Sequence, residues 1–276
     1  SKLSSGGFRV LVDDVDVQLP DGRQVASGLT FRNEFHLDAL SSAELFVPCG
    51  GRPEAVDITN VERLFGPDGR PRFRYIVEGA NLFFTQDARL RLEAAGVVVF
   101  KDASANKGGV TSSSLEVLAA LSLSDTEFAA SMMCAPGSNG TGDGVPDFYR
   151  RYVAHVQAAI ERNARLEFEC IWGEHERTGR PMSVISDDLS TRIVELRDRL
   201  IESLLFDDER VRRAVLSAAL PPLLLEHVGL PEIEQRVPPA YLRALFAAHL
   251  ASRFVYQWGV GADHFAFYQF MQSVVA

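Results

Sequence analysis

The chain has 276 residues, 46% hydrophobic and 24% charged, enough apolar side chain for one large domain or two smaller ones. Its net charge of −9 comes without any basic run, which argues against nucleic acid as a partner. No apolar stretch approaches the ~18 uninterrupted residues of a membrane span, and the opening SKLSSGG lacks the apolar segment of a signal peptide.

In chain order, FRVLVDDVDVQL (Phe8 to Leu19) is β-branched and interrupted by acids, and Pro20-Asp21-Gly22 supplies a turn, so an extended hairpin is expected. LFVPCGG (Leu45 to Gly51), FRYIVEGAN (Phe73 to Asn81) and VVVFKDASANKGG (Val97 to Gly109) are each a short apolar run followed by small or polar residues. Helical patterns lie between them: ITNVERLF (Ile58 to Phe65), and TQDARLRLEAAG, which starts from a Thr85 N-cap and stops at Gly96. Apolar runs separated in this way predict a parallel sheet covered by helices.

After about Glu127 the character changes. Ser131 to Pro146 is rich in glycine and small residues and reads as a loop. Beyond it, Phe148, Tyr152, Val156, Ala159, Asn163, Leu166 and Cys170 recur at three- and four-residue steps, predicting one amphipathic helix about 45 Å long at ~1.5 Å per residue. A second helix is expected from a Ser186 cap through Leu204, and a third from Asp208 to Leu220, stopped by Pro221-Pro222. PPAYLRALFAAHLASRFVYQWG and ADHFAFYQFMQSVV complete an all-helical region, and no internal repeat is present.

Ligands of an open parallel sheet bind at the carboxyl ends of its strands. The three best strands end in PCGG, EGAN and DASANKGG, so parallel pairing puts all three loops on one edge. Glycines there admit a ligand to backbone N–H groups, and Asn81 and Asn106 offer carboxamides. Ser112, Ser113 and Ser114 are expected at a helix start, where orphan N–H groups attract an anion. Each loop taken alone also reads as an ordinary turn and cap; the shared edge is what signals a site.

LFVPCGG, YIVEGAN and NKGGVTSSSLEVL, in this order and spacing, resemble the coenzyme domain of the glutamate/leucine/phenylalanine/valine dehydrogenases. The LVDDVDVQLPDG opening and the helical tail are similar to the large NAD-specific glutamate dehydrogenases of that family, so the resemblance covers essentially the whole chain. It implies an α/β fold: a partial Rossmann-like parallel sheet over residues 1–130 and a helical carboxyl-terminal region over 131–276. The implied activity is oxidative deamination of L-glutamate to 2-oxoglutarate and ammonia with hydride transfer to NAD. The implied coenzyme residues are Cys49, Gly50, Asn81 (nicotinamide–ribose) and Asn106 (junction of nicotinamide and substrate). Val110 and Ser113 are the implied substrate residues, the Ser113 hydroxyl donating to the side-chain carboxylate of glutamate, which is costly to bury without a partner. The chain departs from the family pattern at Gly50, in place of alanine, and at Lys107, in place of a small residue. The implied partners are the remainder of the same enzyme and further copies of it.

Two features are missing. No segment supplies Gly-x-Gly-x-x-Gly between a strand and a helix; GTGDG (Gly140 to Gly144) and GVGADH (Gly259 to His264) have the wrong spacing and context. The resemblance also implies that the catalytic lysines and an aspartate belong to a separate amino-terminal domain. Among 28 basic residues only Lys2, Lys101 and Lys107 are lysines, none in the glycine-rich lysine motifs that the resemblance gives to that separate domain, so no catalytic residue is assigned to this chain. The expectation is the carboxyl-terminal part of a larger enzyme, entering after the first βαβ unit and inactive alone. The alternative is a noncatalytic helical interaction or regulatory module carrying a relic of a nucleotide fold. Cys49, Cys134 and Cys170 are unpatterned and read as free thiols of a reducing cytoplasm. Cys170 and His175 lie five apart on one helix and do not share a face, which disfavours a metal; His155, His227 and His249 read as packing histidines.

Overall fold

The computed structural model describes residues 7–50, 52–135 and 144–275. The chain divides into two compact units, Ser1–Asp102 and Ala103–Ala276, a division earlier than the 130/131 boundary expected above.

In the first unit, β1 (Val15–Gln18) and β2 (Gln24–Ser27) form the expected antiparallel hairpin, with Gly22 at φ +87° in its turn. Helix α1 (Gly28–Glu34) follows directly, capped by the Ser27 hydroxyl, which accepts from Thr30 N–H. Strands β3 (Leu45–Phe46), β4 (Tyr75–Val77) and β5 (Val98–Phe100) form a parallel sheet in that order, with Phe46 opposite Ile76 and Ile76 opposite Val99. Helix α2 (Gln86–Ala94) joins β4 to β5; Thr85 caps it, accepting from Ala88 N–H, and Gly96 follows at φ +85°.

The connection from β3 to β4 departs from expectation. Residues Ile58 to Phe65 give only a 3₁₀ turn, Val61–Leu64, in place of a helix. Asp57 holds the backbone N–H groups of Thr59 and Asn60 at one end, and the Gly66–Gly69 turn reverses the chain at the other. Four residues leave no room for an α-helical hydrogen-bond ladder. The core of this unit gathers Val56, Val61, Leu64, Phe73, Ile76, Phe84, Leu92 and Val99. Each fully buried side chain of this size contributes about 1.5–3 kcal/mol.

The second unit is helical. Asp102, at the end of the first unit, opens the short helix α3 (Asp102–Ala105), and α4 (Gly108–Ser122) and α5 (Asp125–Met132) follow. The long helix α6 (Asp147–Thr178) matches the periodicity read from Phe148 to Cys170 and ends at Gly179, whose φ of +68° is the left-handed cap a glycine allows. Next come α7 (Met182–Glu202), α8 (Glu209–Ala219), α9 (Pro222–His227), α10 (Leu230–Arg236), α11 (Pro239–Trp258) and α12 (His264–Val274). Helix α11 packs on α6, α7 and α8, burying Leu242, Phe246, Leu250, Phe254 and Val255. Among the described residues, no helix is long and apolar enough to cross a membrane.

Ser186 is not a cap. Helix α7 begins at Met182 behind Pro181, and Ser186 lies buried within it, its hydroxyl 2.6 Å from that of Ser104. A proline with φ preset for the chain's entry starts the helix earlier than a serine preceding an apolar run suggests. Of the histidines, His227 packs on Phe148 with ring centroids 5.1 Å apart, and burial lowers His155.

His249 sets a pH limit on this unit. Burial, reinforced by Arg253 and Arg162, pulls its imidazole from the ordinary 6.5 down to about 4. Below pH 6.5 the unfolded chain takes up a proton that the folded chain refuses, so stability is full above that value and falls as pH drops toward 4. His249→Leu is expected to flatten this loss; denaturant midpoints measured between pH 7 and pH 4 check it.

Candidate functional site

Parallel pairing aligns the carboxyl ends of β3, β4 and β5, so Val47 to Gly50, Glu78 to Asn81 and Lys101-Asp102 leave the sheet on one edge. The first two turns are in direct contact. Ala80 N–H donates to Pro48 O (2.7 Å), and a Cβ on Gly79 would lie 3.0 Å from Cys49 Sγ and 3.2 Å from Pro48 O. A side chain there would require the Cys49 turn to give by a few tenths of an ångström. Cys49, Gly50 and Asn81 are thus brought together, and Cys49 and Gly50 line a cleft of about 1210 Å³ shared with Phe46 and Phe83.

The backbone on either side of Asn81 is fixed. On one side is the Ala80–Pro48 hydrogen bond. On the other, Leu82 has φ +54°, a left-handed conformation that a branched side chain rarely adopts, and both of its backbone groups are engaged. Its N–H donates to Asp102 Oδ2 (2.7 Å) and its carbonyl accepts from Glu54 N–H (2.6 Å). Asp102 in turn belongs to a buried charge cluster. Arg89 grips Glu78 with two hydrogen bonds, Nε to Oε1 at 2.7 Å and Nη2 to Oε2 at 2.8 Å, and its Nη2 lies 3.4 Å from Asp102 Oδ1. Glu78, Arg89 and Asp102 are 0%, 3% and 7% exposed. Burial raises the Glu78 carboxyl above its usual range, and the Arg89 guanidinium opposes that shift.

Asn106, Val110 and Ser113 belong to the second unit, on the junction of α3 with α4 and on the first turns of α4. Val110 is 75% exposed, an apolar side chain held out from the helix. The three serines do not sit at the helix start as expected. Helix α4 begins at Gly108, which puts Ser112 to Ser114 a turn later. Ser112 Oγ and Ser113 Oγ donate to Gly109 O at 3.0 and 2.9 Å, so these hydroxyls bond back to the helix instead of capping it.

Lys107, the residue between Asn106 and α4, is tied down by a buried acid that the sequence reading did not single out. Its Nζ lies 2.8 Å from Glu167 Oε2 of α6, and the Tyr256 hydroxyl of α11 donates to the same oxygen at 2.5 Å. Glu167 is 1% exposed, and its Oε1 has no hydrogen-bond partner among the described residues. The signal was present in the sequence: Glu167 lies four residues after Asn163, on the stripe that α6 turns inward. Cys170, one turn on, donates its thiol to Val255 O at 3.6 Å, and burial pushes that thiol up to about 11, so it is a packing residue. His175 Nδ1 contacts Arg180 O at 2.6 Å.

The sequence matches the family described as Glutamate/Leucine/Phenylalanine/Valine dehydrogenase over residues 15–179. It is 54% identical over 274 residues to the Glutamate dehydrogenase 2 of Dictyostelium discoideum, covering 99% of this chain and 26% of that protein. It is 55% identical over 273 residues to the NAD-specific glutamate dehydrogenase of Neurospora crassa, covering 99% and 25%. Against the NAD-specific glutamate dehydrogenase of Saccharomyces cerevisiae the identity is 41% over 278 residues, covering 98% and 25%. The chain therefore spans about a quarter of the length of the curated relatives it matches. No solved structure matches it.

The Lys107–Glu167 pair yields a direct test. Lys107→Met leaves a buried carboxylate without its cation and is expected to destabilise the helical unit by roughly 2–3 kcal/mol. Adding Glu167→Gln is expected to recover more than half of that loss; a double-mutant cycle by denaturant titration measures the coupling.

Proposed function

The chain belongs to the Glutamate/Leucine/Phenylalanine/Valine dehydrogenase family, and on that premise we propose that it is the coenzyme-side portion of an NAD-dependent glutamate dehydrogenase. The reaction is oxidative deamination of L-glutamate to 2-oxoglutarate and ammonia. The observation that carries this reading is the parallel register of β3, β4 and β5, with the turns after β3 and β4 locked to each other at the Asn81 edge.

The residues present fit one half of the coenzyme. Asn81 presents a carboxamide at the strand edge where a nicotinamide–ribose end is to be recognised, with Cys49 and Gly50 in the neighbouring turn. The pyrophosphate half has no counterpart among the described residues. The helix after β4 has Ala88 N–H committed to Thr85 Oγ, and no Gly-x-Gly-x-x-Gly turn follows a strand. NAD, when bound, is the hydride acceptor; the work of this chain is to orient it and to shape the pocket beside it. Asn106 serves at the junction of coenzyme and substrate. Val110 supplies an apolar wall, and Ser113 a hydroxyl for the substrate's distal carboxylate, released for that purpose from the Gly109 carbonyl. The base that moves protons on the amino group comes from the remainder of the same enzyme, since this chain offers only three lysines. On the same reading the enzyme is a homo-oligomer, and a cytoplasmic one, where thiols such as Cys49, Cys134 and Cys170 stay reduced.

Calorimetric titration of the complete enzyme with NAD, repeated with Asn81→Ala, tests the reading. About a tenfold loss of affinity, roughly the 1.4 kcal/mol of one good hydrogen bond, is expected. Unchanged affinity in the variant removes Asn81 from the coenzyme site. A parallel titration of this chain alone, expected to show at most weak binding, measures how much affinity lies in its own half-site.

A further inference from the structure

The turn that carries Asn81 is held in place from both sides. Ala80 N–H is bonded to Pro48 O and Leu82 N–H to Asp102 Oδ2, both at 2.7 Å, so the residue on each side of Asn81 has a fixed backbone partner. The Leu82 bond matters more. Its left-handed backbone (φ +54°) persists only where surrounding contacts over-determine it, and the Asp102 carboxylate is the contact on its N–H. Asp102 is itself 7% exposed, and a carboxylate that deep needs a cation. The cation is Arg89, 3.4 Å from its other oxygen and doubly bonded to Glu78.

We infer that Arg89 is a positioning residue for the coenzyme, acting through Glu78 and Asp102 to set the Asn81 turn; this rests on the reading of Asn81 as a coenzyme contact. The placement of the three charges separates this role from general stability. Glu78 is the first residue after β4 and Asp102 lies two residues after β5, so both carboxylates stand where the chain leaves the sheet toward the site edge. A guanidinium with two hydrogen bonds to one acid and a contact to another fixes the distance between those two chain exits. Apolar side chains of the same volume pack as well and do not specify that distance. A turn displaced by a fraction of an ångström still folds, but its carboxamide no longer meets the ligand.

The test is steady-state kinetics on the complete enzyme, with melting temperature and active-site titration run on the same samples. Asp102→Ala is expected to raise the KM for NAD about tenfold while kcat stays within about twofold. Asp102→Asn, whose carboxamide oxygen still accepts from Leu82 N–H but whose NH2 then faces the Arg89 guanidinium, is expected to recover only part of that loss. Arg89→Met alone strands two buried acids, so Arg89 is tested in the triple variant Glu78→Gln/Arg89→Met/Asp102→Asn, which leaves no unpaired charge and is expected to raise the KM for NAD as Asp102→Ala does. If these variants lose thermal stability or active fraction but keep the parent KM, the cluster is structural only and the inference is overturned. That result is distinct from failure of the coenzyme reading, in which Asn81→Ala also keeps the parent KM and both proposals fall together.

Discussion

Removing a guanidinium and two carboxylates from water costs several kcal/mol per ion, and the first unit does so at the exit of its sheet. Arg89, Glu78 and Asp102 therefore constrain everything around them. The two bonds from Arg89 to Glu78 require α2 to lie with its inner face over the end of β4, and the contact to Asp102 requires β5 to end level with it. Such a cluster is weak evidence for stability, because a well-packed apolar replacement does as well. Its value is that it tolerates one arrangement of strand ends, and in this unit the strand ends carry the candidate site.

The second unit contains a related arrangement. Glu167 is buried in the middle of α6 and draws in Lys107 from the start of α4 and Tyr256 from α11, so three helices share one carboxylate oxygen. Burial and the Glu167 charge together push the Tyr256 phenol above its ordinary range, which keeps it a hydrogen-bond donor at every physiological pH. Lys107, one of the two departures from the resembled pattern, thus has a dedicated acid beneath it.

Much of this was legible in the sequence because it is local. An apolar run of three or four residues followed by glycine and asparagine marks a strand leaving a sheet, and the three- and four-residue steps from Phe148 onward mark α6. Ile58 to Phe65 misled because it has a helical composition in a space too short for a helix, and Ser186 because a serine followed by two acids and an apolar run reads as a cap wherever it lies. The charged clusters were not legible, since their partners are set by the fold: Arg89 reaches Glu78 across 11 positions and Asp102 across 13. A trace was there. Glu78 follows its apolar run at once and Asp102 follows its own after Lys101, and Arg89 shares the inner face of α2 with Ala88 and Leu92, where a charge has no reason to be unless it is paired.

The left-handed Leu82 has a consequence for the order in which this unit assembles. Its N–H partner, Asp102, arrives only when β5 takes its place beside β4, with Ile76 opposite Val99. Hairpin β1–β2 and helix α2 can form from contacts near in sequence, whereas the Asn81 turn has to wait for a pairing that closes a loop of about twenty residues. The Asn81 turn is therefore among the last parts of the unit to acquire its final shape and, by the same logic, among the first to lose it when the β4–β5 edge frays.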